Sequence, residues 1–281
     1  MNSGVSWGKP VTKPLLAQQD LPIVAQITDN LPQSLLLVAE SGLDVDLVVE
    51  QLINSEPSEV YKIHPPEKKH TIGVEQVRDL KIKVRTHATN RRIVVIDPAS
   101  IMTEEAQNAL LKMLEEPSAG LNFILVAESV EPILETIISR CQVVGLSRTS
   151  QAQDKELISS YELSNSDVQQ ILFLASGRPK MIRQLAAEPE ELDQYRQLAT
   201  DAKMILADKS YEALKLIGRY SSDRQTALKL IDVLLTMISF QAKKRGLDSR
   251  QQLLIDRANV ASERLRQNAS IKLALLELAV R

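Results

Sequence analysis

Aromatic residues, cysteine and net charge are all scarce in this chain, and each scarcity removes a class of protein. Only 3% of its 281 residues are Phe, Trp or Tyr. Leu, Ile, Val and Ala must fill the interior, which favours helices and parallel strands over a β-sandwich. Cys141 is the single cysteine, so there is no internal disulfide framework and no cysteine-rich zinc module. The formal charge of −2 supplies no global electrostatic drive towards nucleic acid. No apolar stretch reaches about 18 residues and no signal-peptide pattern follows Met1, so the expected location is the cytoplasm. No internal repeat or low-complexity tract stands out.

What is there is organised around residues 91–146. Arg91 and Arg92 precede an apolar run, Ile93 to Ile96, that ends on Asp97. That pattern predicts a buried parallel strand delivering a carboxylate at its C-terminal edge, where open α/β sheets place their ligands. Thr103 opens a helix over 103–116, with Glu104 and Glu105 in the first turn and Pro117 as its stop. Phe123 to Ala127 reads as a second strand, a short helix starts at Glu131 and runs into Ile138, and Val143-Val144 forms a third strand.

Upstream, residues 1–20 read as a tail or surface-laid segment and Pro22 to Asn30 as a short helix. Ser34 to Ala39 is a strand, Asp44 to Asn54 a helix and Glu59 to His64 a strand, and Gly73 precedes another helix. The alternation implies a doubly wound, five-stranded parallel sheet, an α/β domain over 1–147. After Leu146 the strands stop. Helices are expected over 151–162, 165–175, 179–187 and 188–206, forming a small helical domain over 148–206. Longer amphipathic helices over 210–219, 223–245 and 249–280, the last broken near Asn268, make an all-α C-terminal domain over 207–281.

A sheet of this order usually carries a phosphate loop after its first strand. The pattern Gly-x-x-x-x-Gly-Lys followed by Ser or Thr cradles phosphates on backbone N–H groups, while its Lys neutralises them. Here the turn reads Glu40-Ser-Gly42-Leu-Asp44-Val45-Asp46-Leu47. With Glu40 in the first Gly place, Val45, Asp46 and Leu47 stand for Gly, Lys and Ser/Thr. A unit charge about 4 Å from a phosphate is worth about 4 kcal/mol at an effective dielectric near 20, so reversing its sign opposes ATP. The strand that ends on Asp97 continues with Pro98, where an ATPase would place a Glu to polarise water. Both halves of the nucleotide site are degenerate, which predicts no ATP hydrolysis at this chain's own site and no bound cofactor or metal there.

The run from Ile96 through Asp97, Ala106, Asn108, Lys112, Glu115 and Glu116 to Pro117 resembles the bacterial clamp-loader AAA+ family, most of all its DNA polymerase III delta-prime branch. The resemblance continues in Gly73-Val-Glu-Gln-Val77-Arg78, in Ser139-Arg140-Cys141 and in Gly177-Arg178-Pro179, and weakly near Asn268. It implies an AAA+ domain, a helical lid and a helical collar joining a hetero-oligomeric ring. The implied partners are the clamp-loader ATPase subunits and the delta subunit, with the sliding clamp and primed DNA met through the complex. It also implies that Arg140, between Ser139 and Cys141, reaches in trans to ATP and Mg²⁺ held by a neighbour, and that Arg178 stands at the family's second sensor. The family often carries a four-cysteine zinc module between the first helix and second strand; here only Asn54 to Ser58 bridges that gap.

Blander readings stand beside these. Arg140 is otherwise a helix C-terminal arginine favoured by the dipole. Cys141 reads as a small apolar residue, Asp97 as a structural carboxylate, and Arg178 equally as a solvated or helix-capping side chain. His64, His70 and His87 lack metal-ligand spacing and read as surface or loop residues, and Lys68-Lys69 and Lys243-Lys244-Arg245 as solvated charges. Two other functions remain: an ATPase with an unusual phosphate loop, which micromolar ATP affinity would mark, and an AAA-like scaffold in repair or recombination, which failure to join the replicative ring would mark.

Overall fold

The computed structural model describes residues 13–66, 70–84, 91–207, 210–266 and 269–279. Residues 1–12, Lys68-Lys69, His87 and Asn268 lie outside the described residues. The chain divides into two compact units, one of residues 1–157 with 175–182, the other of 158–174 with 183–281.

The first unit is built on five parallel strands: β1 (Ser34–Val38), β2 (Ser58–Ile63), β3 (Arg91–Ile96), β4 (Leu121–Ala127) and β5 (Gln142–Gly145), in the order β2-β3-β4-β1-β5. Successive strand residues point to opposite faces, and the apolar runs therefore feed two cores at once. Leu35, Leu37, Ile93, Val95, Ile124 and Val126 face α1 (Leu21–Asp29) and α2 (Val45–Asn54) through Val24, Ile27, Val48 and Leu52. Leu36, Val94, Ile96, Phe123 and Leu125 face α3 (Val74–Lys83), α4 (Glu104–Glu115) and α5 (Glu135–Ile138) through Val77, Leu80, Leu110, Met113 and Ile137. A strand covered on both faces has no polar side to show, which is why these runs do not alternate.

The helix after Thr103 starts as its capping chemistry dictates, with the Thr103 hydroxyl accepting from Ala106 N at 3.2 Å. The short helix does not begin at Glu131. Leu134 is extended, its N–H is donated to Gln107 Oε1 at 2.8 Å, and α5 begins at Glu135. Residues 13–20 lie against this unit: Leu16 and Ala17 are buried, Leu15 N donates to Asp44 Oδ2 at 2.8 Å, and Asp20 accepts from Ser147.

The helical segments that follow are α6 (Gln151–Ile158), α7 (Asn165–Leu174), α8 (Pro179–Ala187), α9 (Pro189–Leu206), α10 (Ser210–Tyr220), α11 (Arg224–Arg245), α12 (Ser249–Arg266) and α13 (Ile271–Ala279). The second unit packs Leu192, Leu198 and Ile205 of α9 with Leu230, Leu234 and Ile238 of α11 among its buried residues. Its interior also holds a carboxylate. Asp201 is fully buried and accepts from Tyr220 Oη at 2.5 Å and Gln197 Nε2 at 3.0 Å. No helix among the described residues is long and apolar enough to cross a membrane.

Candidate functional site

The ligand edge of this sheet is the C-terminal end of β1 and β3, and the loop between β1 and α2 forms one wall of it. Glu40 accepts a turn bond from Leu43 N, and Gly42 takes the left-handed conformation, φ +91°, that a side chain disfavours. Asp44 is buried at the start of α2, while Val45, Asp46 and Leu47 are half-buried in its first turn. A carboxylate there suits the helix dipole but repels a phosphate.

Two of the loop's carboxylates, Glu40 and Asp46, meet opposite charges from this same unit, while Asp44 accepts from the Leu15 N–H. Glu40 Oε2 accepts from Arg148 Nε at 2.9 Å and Nη2 at 2.5 Å. Asp46 Oδ2 lies 3.0 Å from Lys180 Nζ, and Asp46 Oδ1 is buried without a hydrogen-bond partner among the described residues. The Gly42 carbonyl accepts from Lys180 N at 3.0 Å and Met181 N at 3.3 Å, so the first turn of α8 sits directly on the loop. Arg178 packs beneath it and is buried, which excludes the solvated reading of that residue. Behind it, Asp154 accepts from Thr149 Oγ1 at 2.5 Å and Gly177 N at 2.7 Å, fixing the turn that leads into α8.

Asp97 lies at the end of β3. Burial pushes its carboxyl above the usual range, the charge of Asp46 adds to that, and Lys180 and His64 pull it back. His64 Nδ1 lies 2.7 Å from the Asp97 carbonyl, and the Asp97–Pro98 bond is cis. While Asp97 stands there with His64 against its carbonyl, Glu40, Gly42, Asp46 and Arg178 come together with Arg148 and Lys180, two cations that sequence reasoning missed. Nothing in a linear pattern marks either as facing the loop; only a surplus of carboxylates in the turn hints that cations must come from elsewhere.

Arg140 stands apart, exposed at the end of α5. Its Nη2 lies 2.8 Å from Glu115 Oε1, and its Nη1 donates to Thr136 O at 2.8 Å and Ser139 Oγ at 3.3 Å. Gln107 ties the two helices that carry this pair, donating to Pro132 O at 2.9 Å and accepting from Leu134 N. Ser139 is exposed, whereas Cys141 is half-buried against the α3–α5 core, and burial pushes its thiol up to about 11. That is the behaviour of a packing residue rather than a nucleophile. His70 is exposed, and Lys243, Lys244 and Arg245 are exposed at the end of α11. Chemically the loop cluster presents neutralised carboxylates, and the α5 end presents one oriented, accessible guanidinium.

Comparisons with known proteins bear on both. Residues 40–150 match the family described as DNA polymerase III, delta subunit. Over 111 residues the chain is 40% identical to the delta-prime subunit of DNA polymerase III from Haemophilus influenzae, covering 38% of this chain and 34% of that protein. It is 39% identical to the Escherichia coli delta-prime subunit over 85 residues, 30% of this chain and 25% of that protein. The matched segment therefore spans about a third or less of these relatives. A crystal structure of a DNA polymerase III gamma subunit-related protein from Thermotoga maritima superposes with TM-score 0.54 at 18% identity, over 92% of this chain and 97% of that one. The fold is thus shared with that gamma subunit-related protein, an α/β sheet domain followed by helices, and residues 40–150 are similar in sequence to the delta-subunit family and to delta-prime subunits.

Proposed function

We propose that this chain is a clamp-loader family member and acts as a delta-prime-like, ATPase-inactive subunit of a DNA polymerase III clamp loader in the cytoplasm. Residues 1–147, 148–206 and 207–281 would serve as nucleotide-fold domain, lid and collar. Its partners would be ATPase subunits and a delta subunit in a hetero-oligomeric ring that places the sliding clamp on primed DNA. The observation that carries this reading is the charge reversal at the phosphate loop. Where an ATPase needs a lysine it has Asp46, already neutralised by Lys180, and beyond Asp97 it has Pro98 instead of a water-polarising acid.

What the chain offers in return is Arg140. An arginine supplied across a subunit boundary stabilises charge developing on the transferred phosphoryl group and is worth about 10³–10⁵ in rate where such fingers act. The neighbour would hold the ATP and Mg²⁺; this chain would hold the guanidinium at the right place, with Ser139 beside it.

The test is reconstitution. Purified chain mixed with the clamp-loader ATPase and delta subunits of its own source should give a mixed ring by native mass spectrometry. Arg140→Ala should assemble equally well and lower the DNA- and clamp-stimulated ATPase of the ring. No ring would remove the subunit assignment, and unchanged ATPase would remove the finger. Micromolar ATP affinity of the isolated chain would instead support an ATPase.

A further inference from the structure

Lys180 holds the phosphate loop twice. Its backbone N–H donates to the Gly42 carbonyl at 3.0 Å and its ammonium pairs with Asp46 at 3.0 Å. Asp97, at the end of β3, is pulled down by His64, Lys180 and Lys62 against its burial, so Lys180 is one of three cations acting on it. On the other side of the loop, Arg148 grips Glu40 through two nitrogens. A Cβ at Gly42 would come within 3.2 Å of Arg178 and Met181 side-chain atoms, so loop and α8 start are already in close contact.

We infer that these contacts form a built-in clasp, in which Lys180 holds the loop through the Gly42 carbonyl and the Asp46 carboxylate and keeps it closed whether or not nucleotide is present. The argument is electrostatic and geometric. The Asp46 carboxylate, half-buried in the first turn of α2 with one oxygen unpartnered among the described residues, needs a cation beside it. In this chain a lysine fixed at the second position of a helix supplies it permanently, at no cost in translational freedom. Half-exposed ion pairs are individually weak, so the backbone bonds to Gly42 close the loop and the charges decide what it is closed upon. The clasp is a property of this chain alone. Its failure would leave the subunit reading untouched, because Asp46 and Pro98 disable hydrolysis in either case.

The measurement is amide hydrogen exchange over residues 40–48 of the full chain, with β3 and β4 amides as internal controls. Lys180→Arg should exchange within about twofold of the native chain, Lys180→Met about threefold faster, and Lys180→Glu about tenfold faster, since it turns a like charge towards Asp46. Millimolar Mg·ATP should leave the native loop unchanged. Equal exchange in the Arg, Met and Glu variants would overturn the clasp. So would loop protection that rises with Mg·ATP, or acceleration spread equally over β3 and β4, which would mean that Lys180 supports the whole unit rather than the loop.

Discussion

Arg140 and Glu115 form an ion pair at 2.8 Å that joins the end of α5 to the end of α4. The pair holds one edge of the guanidinium while the Thr136 carbonyl holds another, so the side chain is aimed without being buried. Both partners are well exposed, and pairs of that kind contribute about 0.2–1 kcal/mol. Glu115→Gln should therefore change the urea midpoint little, by less than about 1 kcal/mol in stability, while lowering ring ATPase by a smaller factor than Arg140→Ala. An effect on stability above about 2 kcal/mol would make Glu115 a structural residue instead.

Gly177 should tolerate substitution less well than Gly42. Both adopt positive φ, +76° and +91°, which alone costs a side chain on the order of 1 kcal/mol. A Cβ at Gly177 would also lie 2.6 Å from Arg148 Cβ, against 3.2 Å for the tightest contact at Gly42. Gly177→Ala should destabilise the first unit by about 2–4 kcal/mol, and Gly42→Ala by less. Equal small losses in a denaturant titration would mean that the Arg148 backbone yields freely.

These glycines and their neighbours mark where the sequence could and could not be read. The runs Leu35 to Leu37, Ile93 to Ile96 and Phe123 to Ala127 are legible as strands because both faces are covered, and Thr103 and Pro117 bound α4 through local chemistry alone. Glu131 misleads as a helix start because the Leu134 N–H is claimed by Gln107, a residue distant in sequence. Arg92 looks like a polar flank of β3, yet it is buried and donates to the carbonyls of Val84 and Ala119. The carboxylates of the loop were visible, but their partners Lys180 and Arg148 were not, since such pairing is fixed by tertiary packing. Arg178 had no legible environment for the same reason.

Tyr220→Phe should cost the helical unit stability out of proportion to the single atom removed. The phenol is a close donor to the fully buried Asp201, and burial together with that carboxylate pushes the tyrosine's own ionisation upwards. Hydrogen bonds to charged groups contribute about 1.5–3 kcal/mol, so a loss in that range is expected. A loss below about 0.5 kcal/mol would mean that Gln197 and Arg219 suffice to satisfy Asp201.

Asp97→Asn should stabilise the chain at neutral pH. Burial, the first cause, raises the carboxyl in the folded state, so the folded chain binds this proton more tightly than the unfolded one. Stability then falls as pH rises from the unfolded value of about 3.9 through the folded one, and stays lower above it. Asparagine removes that slope. The gain over the native chain should be fully present at pH 7 and disappear below about pH 4, followed by urea midpoints across that range. A variant less stable than the native chain at pH 7 would show that the combined pull of His64, Lys180 and Lys62 outweighs burial.

Cys141 adjoins the arginine of greatest interest, and its reactivity separates a packing role from a chemical one. With its thiol pushed up to about 11 by burial, about one molecule in a thousand carries the thiolate at pH 8, against about a quarter for an unperturbed thiol near 8.5. Alkylation of the folded chain by iodoacetamide at pH 8 should run at least about a hundredfold slower than that of the urea-unfolded chain, and restricted access in the half-buried site acts in the same direction. Cys141→Ala should then leave the Arg140 contacts and ring ATPase intact, at a stability cost of about 1 kcal/mol for the buried volume removed. Rapid alkylation of the folded chain would instead mean that the α5 end opens far enough to expose the thiol, and an Arg140 carried on so loose an end would no longer be an aimed group.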